Sequence, residues 1–143
     1  MIVQPKSQDN VWELQTRLAR VCTDDVYYYS YTEVPVVCTG SNGSPYNVAQ
    51  AAVIGNPGTD LANNWTMKVT EELLFVSFSN GKPNGSGKDS AICVYSVLDI
   101  QRQFTENIRQ CFAGFGSFGL VSSGQSPCQK AVSQIELSLP INV

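Results

Sequence analysis

Short apolar runs separated by turn residues recur along most of the chain. Such runs, bounded by Gly, Pro, Asn and Asp clusters, predict strands of a mainly β unit. Tyr31–Cys38 is extended, with Val34 and Val36 alternating. Pro35 has no N–H to give to a ladder, so an edge position is expected for this strand. Ser41-Asn42-Gly43-Ser44-Pro45 is a turn cluster. Tyr46–Ile54 follows as a buried strand, stopped at Asn56-Pro57-Gly58. Leu73–Phe78 is rich in aromatic and aliphatic residues and predicts a strand, with Ser90–Ser96 as its partner across a polar loop over 80–88. Val11–Cys22 fits two patterns. Trp12, Leu14, Leu18 and Cys22 alternate as in a strand, while Val11, Leu14, Leu18 and Val21 make a helix stripe.

The period changes once. Val97, Ile100, Phe104, Ile108 and Cys111 repeat at threes and fours, the face of a helix over 97–110. Ser96 with Asp99 resembles a capping box at its start. Gly114, Gly116 and Gly119 end it, and the tail reads as loop until Ile135–Leu139.

Composition narrows the function. With 143 residues, 43% hydrophobic, the chain has the size and the apolar content of one domain. Its net charge of −3 disfavours a nucleic-acid partner, which needs a basic face. Histidine is absent, which removes Ser-His-Asp and Cys-His hydrolases and mixed Cys/His zinc sites. Two glycine strings fail as phosphate cradles. Gly114–Gly119 has a helix before it rather than a strand, and Gly85-Ser-Gly87-Lys88 lacks the first glycine and the final hydroxyl of a P-loop. The Asp24-Asp25 and Glu71-Glu72 doublets point to opposite faces of a strand and read as solvated turn charges. No catalytic, metal-binding or cofactor-binding residue is assigned, and no cofactor is expected. The run Tyr27-Tyr28-Tyr29, with Tyr31, is read as cross-strand packing in preference to a binding patch.

Five cysteines (Cys22, Cys38, Cys93, Cys111 and Cys128) stand in no CxxC spacing, and so predict disulfides rather than zinc or thioredoxin-like redox chemistry. Sequons at Asn42, Asn64 and Asn84 also point to an oxidising, extracellular route. Asn84 is the best of these, in a polar Gly-rich loop, and Asn42 the weakest, because Pro45 follows its Ser44. The first ten residues, MIVQPKSQDN, do not read as a secretory leader. The expectation is therefore an internal piece of a longer exported chain.

Several strings resemble the sema domain of plexins, the cell-surface receptors for semaphorins, and a related domain of the hepatocyte growth factor receptor family. They run from Thr16-Arg17-Leu18-Ala19-Arg20-Val21-Cys22 through Tyr29-Ser30-Tyr31-Thr32-Glu33-Val34-Pro35 to Cys38, then Asn47–Ala52, Asn56-Pro57-Gly58 and Leu61-Ala62. Leu73–Ser79 and Asp89–Ser96 follow, leading into the helix up to Arg109-Gln110-Cys111. The resemblance is clearest over 16–128, and the tail over 132–143 diverges. It implies a partial sema domain over 1–143, part of a seven-bladed β-propeller with a helical insertion near 97–110. It further implies bridges Cys38–Cys93 and Cys111–Cys128, with Cys22 unpaired. In the chain-entropy model each bridge contributes about 3–5 kcal/mol. The implied work is protein recognition without catalysis. A semaphorin-like protein ligand binds through the full domain, on the outer face of the plasma membrane or in secreted form, in guidance signalling. The remaining propeller is the other implied partner; no nucleic acid and no membrane insertion of this segment are implied. The alternatives are a growth-factor-receptor-type sema domain and, from another class, a small secreted disulfide-containing enzyme using carboxylates.

Overall fold

A computed structural model describes residues 2–8, 11–28, 30–80, 89–113 and 132–133. It contains two sheets and two helices: β1 (Ile2–Gln8), β2 (Val11–Arg20), β3 (Thr32–Val37), β4 (Val48–Gly55), α1 (Thr59–Asn64), β5 (Leu73–Ser79), β6 (Ser90–Ser96), α2 (Val97–Phe112) and β7 (Val132–Ser133). The first sheet has the order β1-β2-β3-β7 and the second the order β4-β5-β6. All neighbours are antiparallel except the two-residue β7, which runs parallel to β3.

The ambiguous Val11–Cys22 run is a strand. It pairs along its length with β1, from Gln8↔Val11 to Ile2↔Arg17, a partner that the sequence reading had not assigned. Tertiary pairing thus outweighs the helix stripe. β3 is only partly an edge. β7 covers it at Val36 and Val37, whereas Thr32–Pro35 pair among the described residues with β2 alone, so Pro35 withdraws no N–H from β7.

The two sheets enclose one core. Val34, Val36 and Cys38 of the first meet Leu74, Val76, Phe78, Cys93 and Tyr95 of the second, with Ile100 and Phe104 of α2 and Val132 of β7. Phe78 and Tyr95 meet edge to face, with ring centroids 6.5 Å apart. Arg20 of β2 lies 4.9 Å from the Phe104 ring centroid, a cation–π contact tying the first sheet to the helix. α2 buries Ile100 and Phe104, the face its periodicity predicts, and also Asn107, whose Oδ1 accepts from Gln103 Nε2. Half of the capping box forms. The Asp99 amide donates to Ser96 Oγ at 3.2 Å, while the Asp99 carboxylate accepts from Arg102.

The chain crosses from the first sheet to the second in a tight reversal. Thr39 bridges Pro45, and the Tyr46 amide donates to the Cys38 carbonyl. Gly43 has φ +79°, the left-handed region where a side chain is strained. A Cβ on Gly40 would lie 3.0 Å from the Tyr46 ring.

One burial expectation is corrected. β4 is not a buried strand: Gln50 through Ile54 are exposed, with Val53 at 63% and Ile54 at 58%. Among the described residues it is an edge strand of its sheet. The helix α1 was not anticipated either. Six residues are too few to show a helical period, and its N-cap is Gly58, with no side-chain cap bond.

Candidate recognition surface

The junction between the sheets is held covalently. Cys38, just past β3, and Cys93, in β6, form a disulfide with Cα atoms 5.9 Å apart, the bridge that the resemblance implies. Beside it Tyr95 Oη donates to the Val37 carbonyl at 3.0 Å, and burial pushes the phenol pKa well up. Thr16 Oγ1 donates to the Asn47 carbonyl and accepts from the Ala49 amide, which pins β4 to β2. The two sheets therefore stand in a fixed relation, with one face of each turned away from the shared core.

The outer face of the first sheet holds a buried polar group between β2 and β3. Opposite residues of an antiparallel pair share a face, and Arg17 stands opposite Pro35. Arg17 is 3% exposed, and its Nε donates to Glu33 Oε2 at 2.8 Å. Its Nη1 reaches Gln15 Oε1 at 3.3 Å, and Tyr31 Oη donates to the other Glu33 oxygen. Partial burial of the Tyr31 phenol and its bond to Glu33 push its pKa up to about 12. In the sequence Arg17 and Glu33 stand only within the strings that carry the resemblance; the available signal was Glu33 as the one charge in the otherwise uncharged β3.

The outer face of the second sheet is apolar and largely bare. In register across it stand Val53, Phe75 and Val94, then Ala51, Ser77 and Ile92. Leu73 and Val94 are buried there, but Ile92 is 68% exposed, so the cover ends half-way across the sheet.

A third feature is an aromatic loop tip. Asp25 closes the loop after β2 by accepting from the Tyr27 amide and from both the amide and the hydroxyl of Ser30. The Cys22 amide donates to that same hydroxyl. The turn ends before β3 begins at Thr32, so Tyr27 and Tyr28 enter no strand. Both are over two-thirds exposed beside Val26, which corrects the cross-strand packing expectation for these two residues. Tyr28 takes φ +58°, uncommon for a bulky residue.

Of the remaining sequence candidates, Cys22 is exposed and free at the base of that loop. Cys111 falls in the last turn of α2, and Cys128 lies outside the described residues. Asn42 is exposed in the turn, where its Oδ1 accepts from the Ser44 amide, and Asn64 is exposed at the end of α1. Asn84 and Tyr29 lie outside the described residues. Among the described residues no three His, Cys, Asp or Glu side chains gather as a metal site, and no helix is long and apolar enough to cross a membrane.

The family model described as Sema domain matches residues 49–137. The chain belongs to the Sema domain family. Among curated relatives of this sema chain, Plexin A3 of Danio rerio is 32% identical over 124 residues, covering 84% of this chain and 6% of the relative. Human Plexin-A2 is 33% identical over 107 residues, 73% of this chain and again 6% of the relative. The fold matches a structure of the Plexin A4 full extracellular region with a TM-score of 0.69 and 26% identity, over 99% of this chain and 16% of that one. The two bridged sheets are thus a section of a plexin-type sema β-propeller. The chain spans only about a sixteenth of the curated relatives' length.

Proposed function

We propose that the chain is a partial sema domain over 1–143 within a plexin-type receptor, exposed outside the cell and working by protein recognition rather than catalysis. The observation that supports this most is the match of both sheets to the Plexin A4 extracellular region over nearly the whole chain. In this reading the completed propeller takes a semaphorin-like protein ligand and passes the signal on through parts of the receptor beyond this segment. This section supplies scaffold. Cys38–Cys93 locks two sheets together, and oxidation in the secretory route suits it. A second bridge, Cys111–Cys128, and glycans on Asn84, Asn64 and Asn42 belong to the same reading, with Cys22 left as a thiol.

The test is binding of semaphorin ectodomains to the intact receptor ectodomain containing this chain, measured by surface plasmon resonance. Saturable binding, with no ester or glycoside turnover, is the expected result. Failure to bind any semaphorin would overturn the ligand assignment. A non-reducing peptide map of the same secreted protein reads the bridges and glycans; five free thiols and no glycan would overturn the extracellular one.

A further inference from the structure

The loop after β2 presents two phenols to solvent. Tyr27 is 72% and Tyr28 70% exposed. The other tyrosines among the described residues are engaged elsewhere. Tyr95 is buried and donates to the Val37 carbonyl, Tyr31 donates to Glu33, and Tyr46 packs against the core. The exposed pair stands on a closed turn. Asp25 accepts from the Tyr27 amide and from both donors of Ser30, and the Tyr28 amide donates to the Asp25 carbonyl. These bonds hold the backbone and leave both rings outside, where a modifying enzyme can reach them.

The charge along this loop has one sign. Asp24 and Asp25 precede the two tyrosines, and Asp24 is exposed. No Lys or Arg stands between Arg20 and Lys68, and the Arg20 guanidinium is drawn onto the Phe104 ring. A reachable phenol with carboxylates on its N-terminal side fits a basic enzyme cleft, because complementary potentials steer the encounter. Transfer of sulfate to tyrosine uses such clefts and takes place on the secretory route.

We propose that Tyr27 and Tyr28 are acceptors for O-sulfation. This rests on the reading of the chain as exported. The donor is a nucleotide carrying a mixed phosphate–sulfate anhydride. The phenol oxygen attacks the sulfur, an O–S ester bond forms, and the S–O bond of the anhydride breaks. The nucleotide leaves with the electron pair, and the phenol proton passes to a base of the transferase. Nothing is oxidised or reduced. The ester places a fixed negative charge on the same loop as Asp24, in a form that Arg and Lys side chains of another protein can pair with.

The test is mass analysis of the intact ectodomain containing this chain, secreted from a eukaryotic cell line. Trypsin cuts after Arg20 and Lys68, so the tryptic peptide Val21–Lys68 carries both tyrosines and is read after reduction and glycan release. The expected result is a gain of one or two sulfo groups, placed on Tyr27 and Tyr28 by electron-based fragmentation. The gain resists alkaline phosphatase and is lost when the cells grow in chlorate, which blocks synthesis of the donor. It is also lost in Tyr27→Phe with Tyr28→Phe, and it falls in Asp24→Lys. An unmodified peptide, a gain that phosphatase removes, or a group on Tyr29, Tyr31 or Tyr46 would each overturn the inference while leaving the sema reading intact. Unchanged occupancy in Asp24→Lys would overturn the charge recognition on which it stands. A chain retained inside the cell with all its thiols free would remove the extracellular reading and the inference together.

Discussion

The two outward faces of this molecule are built from opposite materials. On the first sheet an arginine and a glutamate are buried against each other, with a tyrosine and a glutamine completing most of their hydrogen bonds. On the second, Val53 and Ile92 lie open to water on either side of Phe75 and Ser77. Both sheets contribute apolar side chains to the shared core, so the difference drawn here lies in what each turns outward. A buried ion pair returns little net stability after its desolvation, but it tolerates few geometries. An apolar patch returns about 1.5–3 kcal/mol for each large aliphatic side chain fully covered, with little demand on direction. One face is made to select an arrangement and the other to hold it.

The first way to break this contrast is to remove one half of the ion pair. Glu33→Gln leaves the Arg17 charge buried without its counter-ion, and a loss of about 3–5 kcal/mol is expected in denaturant unfolding. Replacing both together, Arg17→Met with Glu33→Leu, is expected to come within about 1 kcal/mol of the original or above it. Equal losses for the single and the double change would show that the pair stabilises in its own right rather than selects. The covalent link between the sheets comes next. Cys38→Ser with Cys93→Ser opens a loop spanning 55 residues and is expected to cost about 2–5 kcal/mol. If the faces are as different as argued, this loss falls on both sheets alike, and hydrogen exchange rises in β3 and β6 together. A smaller effect belongs to the inner seam. Tyr95→Phe removes the bond to the Val37 carbonyl and is expected to cost about 0.5–1.5 kcal/mol, read from the same unfolding curves.

How much of this was legible beforehand depended on period and length. β5 and β6 could be read from aromatic and aliphatic content on either side of a polar loop, and α2 from its period, which marks the side that buries Ile100 and Phe104. Val11–Arg20 could not be decided locally, because its apolar residues satisfy both periods, and only pairing with β1 and β3 chooses between them. β4 was legible as a strand but not as an exposed one. Its string of Ala, Val and Ile gives no local sign that Gln50–Ile54 stay exposed. The tyrosine run misled for a different reason. Tyrosine favours strands, but Asp25 and Ser30 bind the backbone around it into a turn, and such local side-chain bonds outweigh propensity. Of the candidate surface, the disulfide came from family likeness. The buried pairing of Arg17 with Glu33 needed coordinates, since the two stand sixteen residues apart in the chain.

The smallest expected effect is on the bare face, and it sharpens the comparison most. Ile92 is 68% exposed, so Ile92→Ser removes little buried area and is expected to shift unfolding by no more than about 0.5 kcal/mol. Its consequence is for association. An apolar face with Val53 exposed on β4 and Ile92 exposed on β6 invites contact between copies, and a polar residue on its β6 side removes part of that gain. Sedimentation of the isolated 143-residue chain is therefore expected to show less self-association for Ile92→Ser than for wild type, at unchanged stability. A polar change on the opposite outer face, Gln15→Ser, is expected to leave association where it was, because the described residues of that face hold no exposed apolar pair like Val53 and Ile92. Should both changes alter association equally, the two faces would be alike in what they attract, and the division between a selecting face and a holding face would fail.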